Sequence, residues 1–259
     1  MTKAIILAAG QGSRLRPLTN SRPKCLVELA GETLLSRQVS VLNSQSISDI
    51  HVVTGYLGEQ IENLGFQTSH NEDFDKTNMV ASLFCAMEFI ESCKEDLIIA
   101  YGDIVYNPEN LKSMIESNDE ISLMIDKNWR DLWSLRLENP LDDAETLKIE
   151  DGNVIELGKK PDGYRDVQGQ YTGLIKVRAD KIQDLIDFYK SLNQDSMYDG
   201  QDFNNMYMTS FIQSLIDTGW KVGAVNVMGG WLEVDTVNDR DLYETLAQEK
   251  TLYKFYNIK

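Results

Sequence analysis

The chain has 259 residues, 42% of them hydrophobic and 25% charged, and its formal net charge is −16. That length is enough for one large α/β domain or two small ones, and the acidity argues against nucleic acid or an anionic membrane surface as a partner. The three cysteines lack metal-binding spacing, and no apolar run reaches the roughly 20 residues of a membrane span. We therefore expect a cytoplasmic protein with reduced thiols and no membrane segment.

Apolar runs and segments of helical period alternate along the first half of the chain. Buried strands are predicted at residues 4–8, 50–54, 96–100 and 121–125. Helices are predicted at residues 34–42, at a short segment ending near residue 64, at residues 79–90 and at residues 108–117. This order of strands and helices predicts an α/β fold with a parallel-type sheet covered on both faces.

The pattern changes after residue 130. Residues 132–178 alternate with period 2 and carry turns at residues 151–153 and 161–163, which predicts an antiparallel ribbon. The rest of the chain predicts helices at 180–192 and 204–219, strands at 222–227 and 231–235, and a final helix from about residue 238. Because no repeat or linker separates these parts, we expect residues 1–259 to form a single domain with a β-rich insertion at residues 131–178.

The loop after the first strand is basic. Residues 1–27 contain five lysines and arginines and no acidic residue, and ligands of open α/β sheets bind at the carboxyl ends of strands. The dinucleotide fingerprint fails here because Leu15 stands where the third glycine belongs. What remains is two glycines, Gly10 and Gly12, whose neighbouring amides can approach an anion, with Arg14 and Lys24 to reach phosphates. A plain glycine turn with surface arginines is the alternative.

Two acidic positions lie at the ends of predicted strands. Asp103 ends a buried strand, where an unpaired carboxylate is costly. Glu233 and Asp235 point to the same face of a later strand, and Thr236 with Asp239 forms a capping box for the final helix, which leaves Asp235 without a local structural role. Carboxylates without nitrogen or sulfur ligands suit Mg²⁺ rather than zinc.

Other positions allow both a structural and a functional interpretation. Lys160 precedes Pro161 at the end of the predicted ribbon, where it is either a solvated turn residue or a contact to a second phosphate. Thr77 and Asn78 open a helix that also carries Ser82, and their polar groups lie near a helix N-terminus, which favours polar ligands. Helix capping is the alternative for Thr77 or Asn78. The aromatic residues Trp129 and Tyr171 are core residues or walls of a cation–π pocket.

These motifs together resemble a known family. The run from Leu7 to Thr19 (LAAGQGSRLRPLT), followed by Arg-Pro-Lys24, resembles the signature loop of the nucleotidyltransferases with a GT-A-like, Rossmann-type fold. The segments 101–103, 158–161, 171–174 and 233–236 match that family in the same order. Residues 77–83 are similar to the choline-phosphate cytidylyltransferase branch, whose members activate phosphocholine, 2-aminoethylphosphonate or phosphoglutamine with CTP. Residues 168–174 and 208–211 resemble the phosphoglutamine type of capsular phosphoramidate pathways.

The resemblance implies a mixed, mostly parallel sheet flanked by helices. Residues 1–130 would form the nucleotide-binding half, residues 131–178 the β-rich insertion on the acceptor side, and residues 179–259 the closing helices and the metal-binding strand. The implied reaction joins CMP from CTP to a small phosphorylated acceptor and releases pyrophosphate, for modification of surface polysaccharide. Such a chain would act alone or as a homodimer.

The resemblance also implies roles for individual residues. Mg²⁺ would be held by Asp103 and Asp235 with support from Glu233. Arg14 would stabilise the departing pyrophosphate, and Lys24 would bridge the α-phosphate and the acceptor phosphate. The nucleotide would contact Ala8, Ala9, Gly10, Gly12, Ser13, Asn78, Ser82 and Tyr101. The acceptor would contact Lys160, Trp129, Tyr171 and Arg136, and an acceptor carboxylate would need Arg130 or Arg136.

Three alternatives remain open on the sequence alone. A sugar-1-phosphate nucleotidyltransferase would use the same chemistry with UTP, dTTP or GTP. A catalytically inactive nucleotide-binding module would keep the fold without the reaction. A glycosyltransferase of the related fold would need an Asp-x-Asp metal motif, and the motif from Asp239 to Asp241 begins the predicted final helix instead of ending a strand.

Overall fold

A computed structural model describes residues 2–258. Its strands are β1 Lys3–Ala8, β2 Glu28–Leu29, β3 Glu32–Thr33, β4 Ile50–Thr54, β5 Gln67–His70, β6 Leu97–Tyr101, β7 Ile104–Tyr106, β8 Ile121–Asp126, β9 Leu147–Glu150, β10 Asn153–Leu157, β11 Gln170–Val177, β12 Val222–Val227 and β13 Trp231–Glu233. Its α-helices are α1 Leu34–Ser44, α2 Glu59–Glu62, α3 Met79–Cys85, α4 Met87–Ser92, α5 Pro108–Glu116, α6 Trp129–Arg136, α7 Ile182–Ser191, α8 Met208–Asp217 and α9 Val237–Gln248. No helix within the described range is long and apolar enough to cross a membrane.

The main sheet is mixed and mostly parallel. Within residues 2–258 it has nine strands in the order β5-β4-β1-β6-β11-β8-β12-β10-β9. The strands β5, β4, β1 and β6 are parallel, β11 enters antiparallel between β6 and β8, and β12 returns parallel to β8. The hairpin β9–β10 extends the far edge. The predicted α/β fold class is therefore confirmed.

The sheet divides the hydrophobic core into two layers. Successive residues of a strand point to opposite faces, so Ala4 and Ile6 of β1 pack into one apolar cluster and Ile5 and Leu7 into the other. Both faces of β1 are buried under helices, which explains why its sequence is an unbroken apolar run instead of an alternating one. The carboxyl end of β1 is thereby fixed at the centre of the molecule.

Two predicted elements differ from the structure. The antiparallel ribbon predicted from residue 132 is wrong over its first part, because residues 129–136 form α6, which buries Trp129, Leu132 and Trp133 at helical spacing. The predicted helix at 79–90 is interrupted at Ala86, which ends α3 and precedes α4. The later part of the ribbon forms the hairpin β9–β10 and the strand β11, and β11 lies in the middle of the main sheet.

Candidate active site

The loop after β1 is shaped by Gly12. Its φ of +63° is a left-handed conformation, and a Cβ at this position would lie 2.9 Å from Cβ of Lys24. The carbonyl of Gly12 accepts a hydrogen bond of 2.9 Å from the Thr19 hydroxyl. Glycine therefore lets the side chain of Lys24 lie directly across the loop.

A second glycine brings β6 close to β1. The amide of Gly102 donates to the carbonyl oxygen of Leu7 at 2.8 Å, and a Cβ on Gly102 would lie only 2.6 Å from that oxygen. Asp103, the next residue, is thereby held beside the loop that carries Lys24. The close approach of β1 thus explains why the middle residue of Tyr-Gly-Asp at the end of β6 is glycine.

The third part of the site comes from the far end of the chain. Strand β13 pairs antiparallel with β7, so that Glu233 lies opposite Ile104. The amide of Val234 donates to the carbonyl oxygen of Asp103 at 3.0 Å. This pairing places Asp235 next to Asp103.

The four predicted charged residues meet at one point. The Lys24 ammonium lies 2.7 Å from Oδ2 of Asp103 and 2.8 Å from Oδ1 of Asp235, and the Arg14 guanidinium lies 2.7 Å from Oδ2 of Asp235. The side chains of Lys24, Asp103 and Asp235 are 14%, 22% and 10% exposed, whereas that of Arg14 is 68% exposed. Burial by itself would lower the pKa of Lys24, but the two carboxylates outweigh burial and raise it. Lys24 and Arg14 together balance the charge of the two carboxylates, and Arg14 lies at the open side of the cluster.

Asp103 and Asp235 are suited to a divalent cation. Their donors are oxygens, and Oδ1 of Asp103 is buried without a hydrogen-bond partner among the described residues. The position between them already receives a positive group, the Lys24 ammonium. Within residues 2–258 no three His, Cys, Asp or Glu side chains are arranged as a metal site. The protein would therefore supply two carboxylates, as is usual for Mg²⁺ bound together with substrate phosphates.

Glu233 lies near this pair and is bound to Arg136. The Arg136 guanidinium donates to Glu233 at 3.1 Å and to both carboxylate oxygens of Asp239 at 2.9 and 3.2 Å. Burial raises the pKa of Glu233, an effect that Arg136 opposes and the neighbouring Asp103 and Asp235 increase. Asp239 also closes the capping box of α9 with Thr236. Arg136, only 3% exposed, thus ties Glu233 to α9 and does not reach the cavity where an acceptor contact was expected.

Two cavities meet at the charged cluster, and Arg14, Met79, Tyr101 and Asp235 line both. The first, of about 280 Å³, is bounded by the loop after β1 and the end of β6. The predicted nucleotide contacts that line it are Ala8, Gly10, Gly12, Ser13 and Tyr101. We call it the loop cavity.

Three predicted nucleotide contacts have structural partners instead of a place on the loop cavity. Ala9 is buried, and its carbonyl accepts from the amide of Tyr56. The side chain of Asn78 caps α3 by accepting from the Met79 amide at 2.8 Å. Ser82 is buried and accepts from the side-chain amide of Asn71. The capping alternative therefore accounts for the contacts of Asn78.

The second cavity, of about 190 Å³, extends from Asp235 toward β11 and α8, and we call it the aromatic cavity. Tyr171 lines it, as predicted for an acceptor contact, and its ring meets that of Tyr101 edge to face at 5.9 Å. Trp133 and Trp231, stacked at 5.6 Å, form another wall. Trp129 is buried behind Trp133, and Lys160 is exposed beyond the end of β10, so the described cavity lining includes neither.

The sequence did not point to Glu145 and Thr209 as site residues, and both line the aromatic cavity. Glu145 follows two aspartates and an alanine in a loop, so nothing in its local pattern separates it from surface acids. Thr209 lies in the first turn of α8, where a threonine is ordinarily a helix-start residue. Their common cavity is a product of the tertiary fold.

The arrangement has the parts of a nucleotidyltransferase: a cationic loop at the end of a central parallel strand, two strand-end carboxylates, and adjoining cavities on either side of them. Residues 4–131 match the sequence model of the MobA-like NTP transferase domain. The inositol-1-phosphate CTP transferase from T. maritima superimposes with a TM-score of 0.70 at 22% identity, over 99% of this chain and 98% of that one, which shows a common fold.

Curated relatives give the family. The chain is 44% identical to CTP:phosphoglutamine cytidylyltransferase of Campylobacter jejuni subsp. jejuni, over 92% of this chain and 98% of that protein. It is 40% identical to choline-phosphate cytidylyltransferase of Streptococcus pneumoniae over 33% of this chain and 39% of that protein. The chain therefore belongs to the nucleotidyltransferase family, in the group of the bacterial cytidylyltransferases.

Proposed function

We propose that this chain transfers CMP from CTP to a small phosphorylated acceptor, with release of pyrophosphate and with Mg²⁺ as cofactor. Phosphoglutamine, the substrate in the name of the Campylobacter jejuni relative, is the first acceptor to test, followed by phosphocholine and an aminoalkylphosphonate. The observation that carries the proposal is Lys24 on the loop cavity, 2.7 Å from Asp103 and 2.8 Å from Asp235, which lines both cavities. A cytoplasmic role in the modification of surface polysaccharide is part of the same proposal.

The chemistry needs charge stabilisation more than proton transfer. An acceptor phosphate oxygen is already ionised at neutral pH, so the nucleophile needs no general base. Neither histidine is among the residues that line the loop and aromatic cavities, since His51 binds Ser69 and His70 binds Thr54. Alignment of the two phosphates and neutralisation of their charge then provide the rate enhancement.

The cationic side chains divide this work between them. Lys24, which lines the loop cavity and is bound to Asp235, would neutralise the oxygens of the α-phosphate and of the attacking acceptor phosphate. Arg14, mostly exposed and lining both cavities, would receive the departing pyrophosphate. Asp103 and Asp235 would hold Mg²⁺, and Glu233 would support them from behind. When bound, the metal supplies a further positive charge to the phosphate oxygens.

Substitution of the carboxylates tests the metal assignment. Asp103→Asn and Asp235→Asn should each lower pyrophosphate release from CTP and acceptor by at least about 10²-fold at saturating Mg²⁺, because the metal loses a charged ligand. Asp241→Asn is the matched control, since Asp241 is exposed and its carboxylate pairs with the neighbouring Arg240. Near-normal turnover of either site variant would contradict the metal assignment.

Nucleotide and acceptor panels separate the alternatives. Pyrophosphate release should be fastest with CTP among CTP, UTP, dTTP, GTP and ATP when phosphoglutamine, phosphocholine and a sugar 1-phosphate are offered in turn. Turnover only with a sugar 1-phosphate would replace the proposal by the sugar-nucleotide alternative. No release with any pair would favour the inactive module. The glycosyltransferase alternative is weakened by Asp239, whose carboxylate is already bound to Arg136 and Thr236.

A further inference from the structure

We infer that the aromatic cavity binds the head of an α-amino acid, with the carboxylate at the N-terminus of α8 beside Thr209 and the ammonium at Glu145. The inference rests on the proposed function, since it describes the acceptor of that reaction. It assigns residues to the α-carboxylate and the ammonium of such an acceptor, in a cavity whose aromatic walls alone would also accept other amines. The argument uses the open end of α8, the unpaired hydroxyl of Thr209 and the unpaired carboxylate of Glu145.

The N-terminus of α8 opens into the aromatic cavity. Tyr207, Met208 and Thr209 all line the cavity, and Tyr207, at the N-cap position, makes no side-chain capping bond. The helical hydrogen bonds begin with the amide of Phe211, which donates to the carbonyl oxygen of Tyr207 at 3.0 Å. The preceding amides of this ten-residue helix therefore point toward the cavity end with the positive pole of the helix dipole. Such an end favours a carboxylate or a phosphate oxygen.

Thr209 gives an independent indication of a ligand at this point. Thr209 is 8% exposed, and its hydroxyl has no hydrogen-bond partner within the described part of the chain. Gly158 packs directly against it, because a Cβ on Gly158 would lie 2.7 Å from Cβ of Thr209, and the glycine has a φ of +88°. Gly158, at the end of β10, thus holds the Thr209 side chain, whose hydroxyl has no partner among the described residues, at the wall of the aromatic cavity.

Glu145 provides the opposite charge on the same wall. The amide of Gly158 donates to the carbonyl oxygen of Thr146 at 3.1 Å, so the residue that packs on Thr209 is also bonded next to Glu145. Burial raises the pKa of Glu145, and its charged neighbours, Asp143 and Asp199, are acidic as well. No ion pair of Glu145 occurs among residues 2–258. A partly buried carboxylate without a cation is costly, and a ligand ammonium would supply one.

The arginines near the aromatic cavity have other partners, so the N-terminus of α8 is the group that would bind the acceptor carboxylate. Arg136 is bound to Asp239, and the guanidinium of Arg130 lies 3.9 Å from the ring centre of Tyr164, so neither candidate for a carboxylate contact lines the cavity. Arg14 is the one lysine or arginine on the described lining of the aromatic cavity, and it is paired with Asp235 on the phosphate side. Within residues 2–258, Glu145 and its two acidic neighbours, Asp143 and Asp199, are not arranged as a metal site.

The test compares two variants on three acceptors. The first acceptor is glutamine phosphorylated on its side-chain amide nitrogen, which leaves the α-carboxylate and the α-ammonium free. The other two are its analogue without the α-carboxylate and its analogue without the α-amino group. Thr209→Val keeps the shape and β-branching of the side chain but removes the hydroxyl, and Glu145→Gln removes the charge. Ser214→Ala on α8 and the exposed Glu138→Gln are the matched controls, since neither residue lines the cavity.

Each variant should affect only the acceptors that carry its partner group. Thr209→Val should lower kcat/KM about 10-fold or more for the two acceptors with a carboxylate, through KM, and less than twofold for the analogue without it. Glu145→Gln should do the same for the two acceptors with an ammonium. The KM for CTP should not change in either variant. Equal losses on all three acceptors, or wild-type use of the truncated analogues as good as that of the complete acceptor, would overturn the inference.

Direct binding separates this inference from the proposed function. Calorimetric titration with unphosphorylated L-glutamine should show weaker binding to Thr209→Val and Glu145→Gln than to the wild-type chain and the two controls. If this holds while no nucleotide supports pyrophosphate release, the amino-acid site stands and the proposed reaction fails. If CTP is used but glutamine binds the wild type and both variants equally, the reaction stands and the amino-acid site fails.

Discussion

Replacement of Lys24 by methionine removes the cation that bridges Asp103 and Asp235 while keeping an unbranched side chain. Loss of one partner of a buried ion pair costs about 3–5 kcal/mol, and the lower end applies because Asp103 is 22% exposed and Arg14 still pairs with Asp235. A loss of about 3 kcal/mol lowers Tm by about 6–12 °C in a chain of this size. Turnover should also fall by at least about 10²-fold, as expected for one lost charge contact in the transition state.

The assay is thermal unfolding with and without Mg²⁺, together with pyrophosphate release. Mg²⁺ should raise the Tm of Lys24→Met more than that of the wild type, because the two freed carboxylates can take the ion; at 100 times Kd the gain is about 2.7 kcal/mol. Lys3→Met is the control, since Lys3 pairs with a single half-exposed carboxylate, that of Asp49, and should cost less than about 1 kcal/mol. A Tm within 2 °C of the wild type, with no larger response to Mg²⁺, would refute the reasoning.

Three further predictions follow from other contacts. Gly102→Ala should lower the free energy of unfolding by about 1–3 kcal/mol and turnover by about 10²-fold, because the new Cβ would lie 2.6 Å from a carbonyl oxygen and displace Asp103. Unfolding and kinetic assays measure the two effects. Gly163→Ala is the control, since a Cβ there has open space and should change neither quantity. Arg136→Leu should cost about 3–5 kcal/mol in urea unfolding by leaving buried carboxylates unpaired, and should change kcat/KM for all acceptors by the same factor; an acceptor-specific KM change would contradict this. Burial lowers the pKa of His51, so the free energy of unfolding should decline as pH falls through about 6.5, the pKa of imidazole in the unfolded chain. The urea midpoint of the wild type should therefore depend more on pH near 6.5 than that of His51→Gln. Equal pH dependence of the two midpoints would argue against this effect of His51.

Local sequence patterns predicted the elements on which the site is built. The apolar run of β1, the glycines that follow it and the capping box before α9 are properties of neighbouring residues, so they could be identified without the fold. Asp103 and Asp235 could be singled out as strand-end carboxylates that lack a local role. The region after residue 130 could not be predicted in the same way, because its sequence pattern predicts a period-2 ribbon where residues 129–136 form the short helix α6.

The sequence by itself determined the reaction class, because the basic loop resembles the nucleotidyltransferase signature and the chain matches that family by sequence alone. The tertiary structure alone decided which charges meet. The pairing of β13 with β7 brings Asp235 to Asp103, and Gly12 lets Lys24 reach both. The tertiary structure also pairs Arg136 with Asp239, so that Arg136 does not line the aromatic cavity. Local periodicity records which face of an element is buried, whereas contacts between distant strands depend on how the whole chain packs.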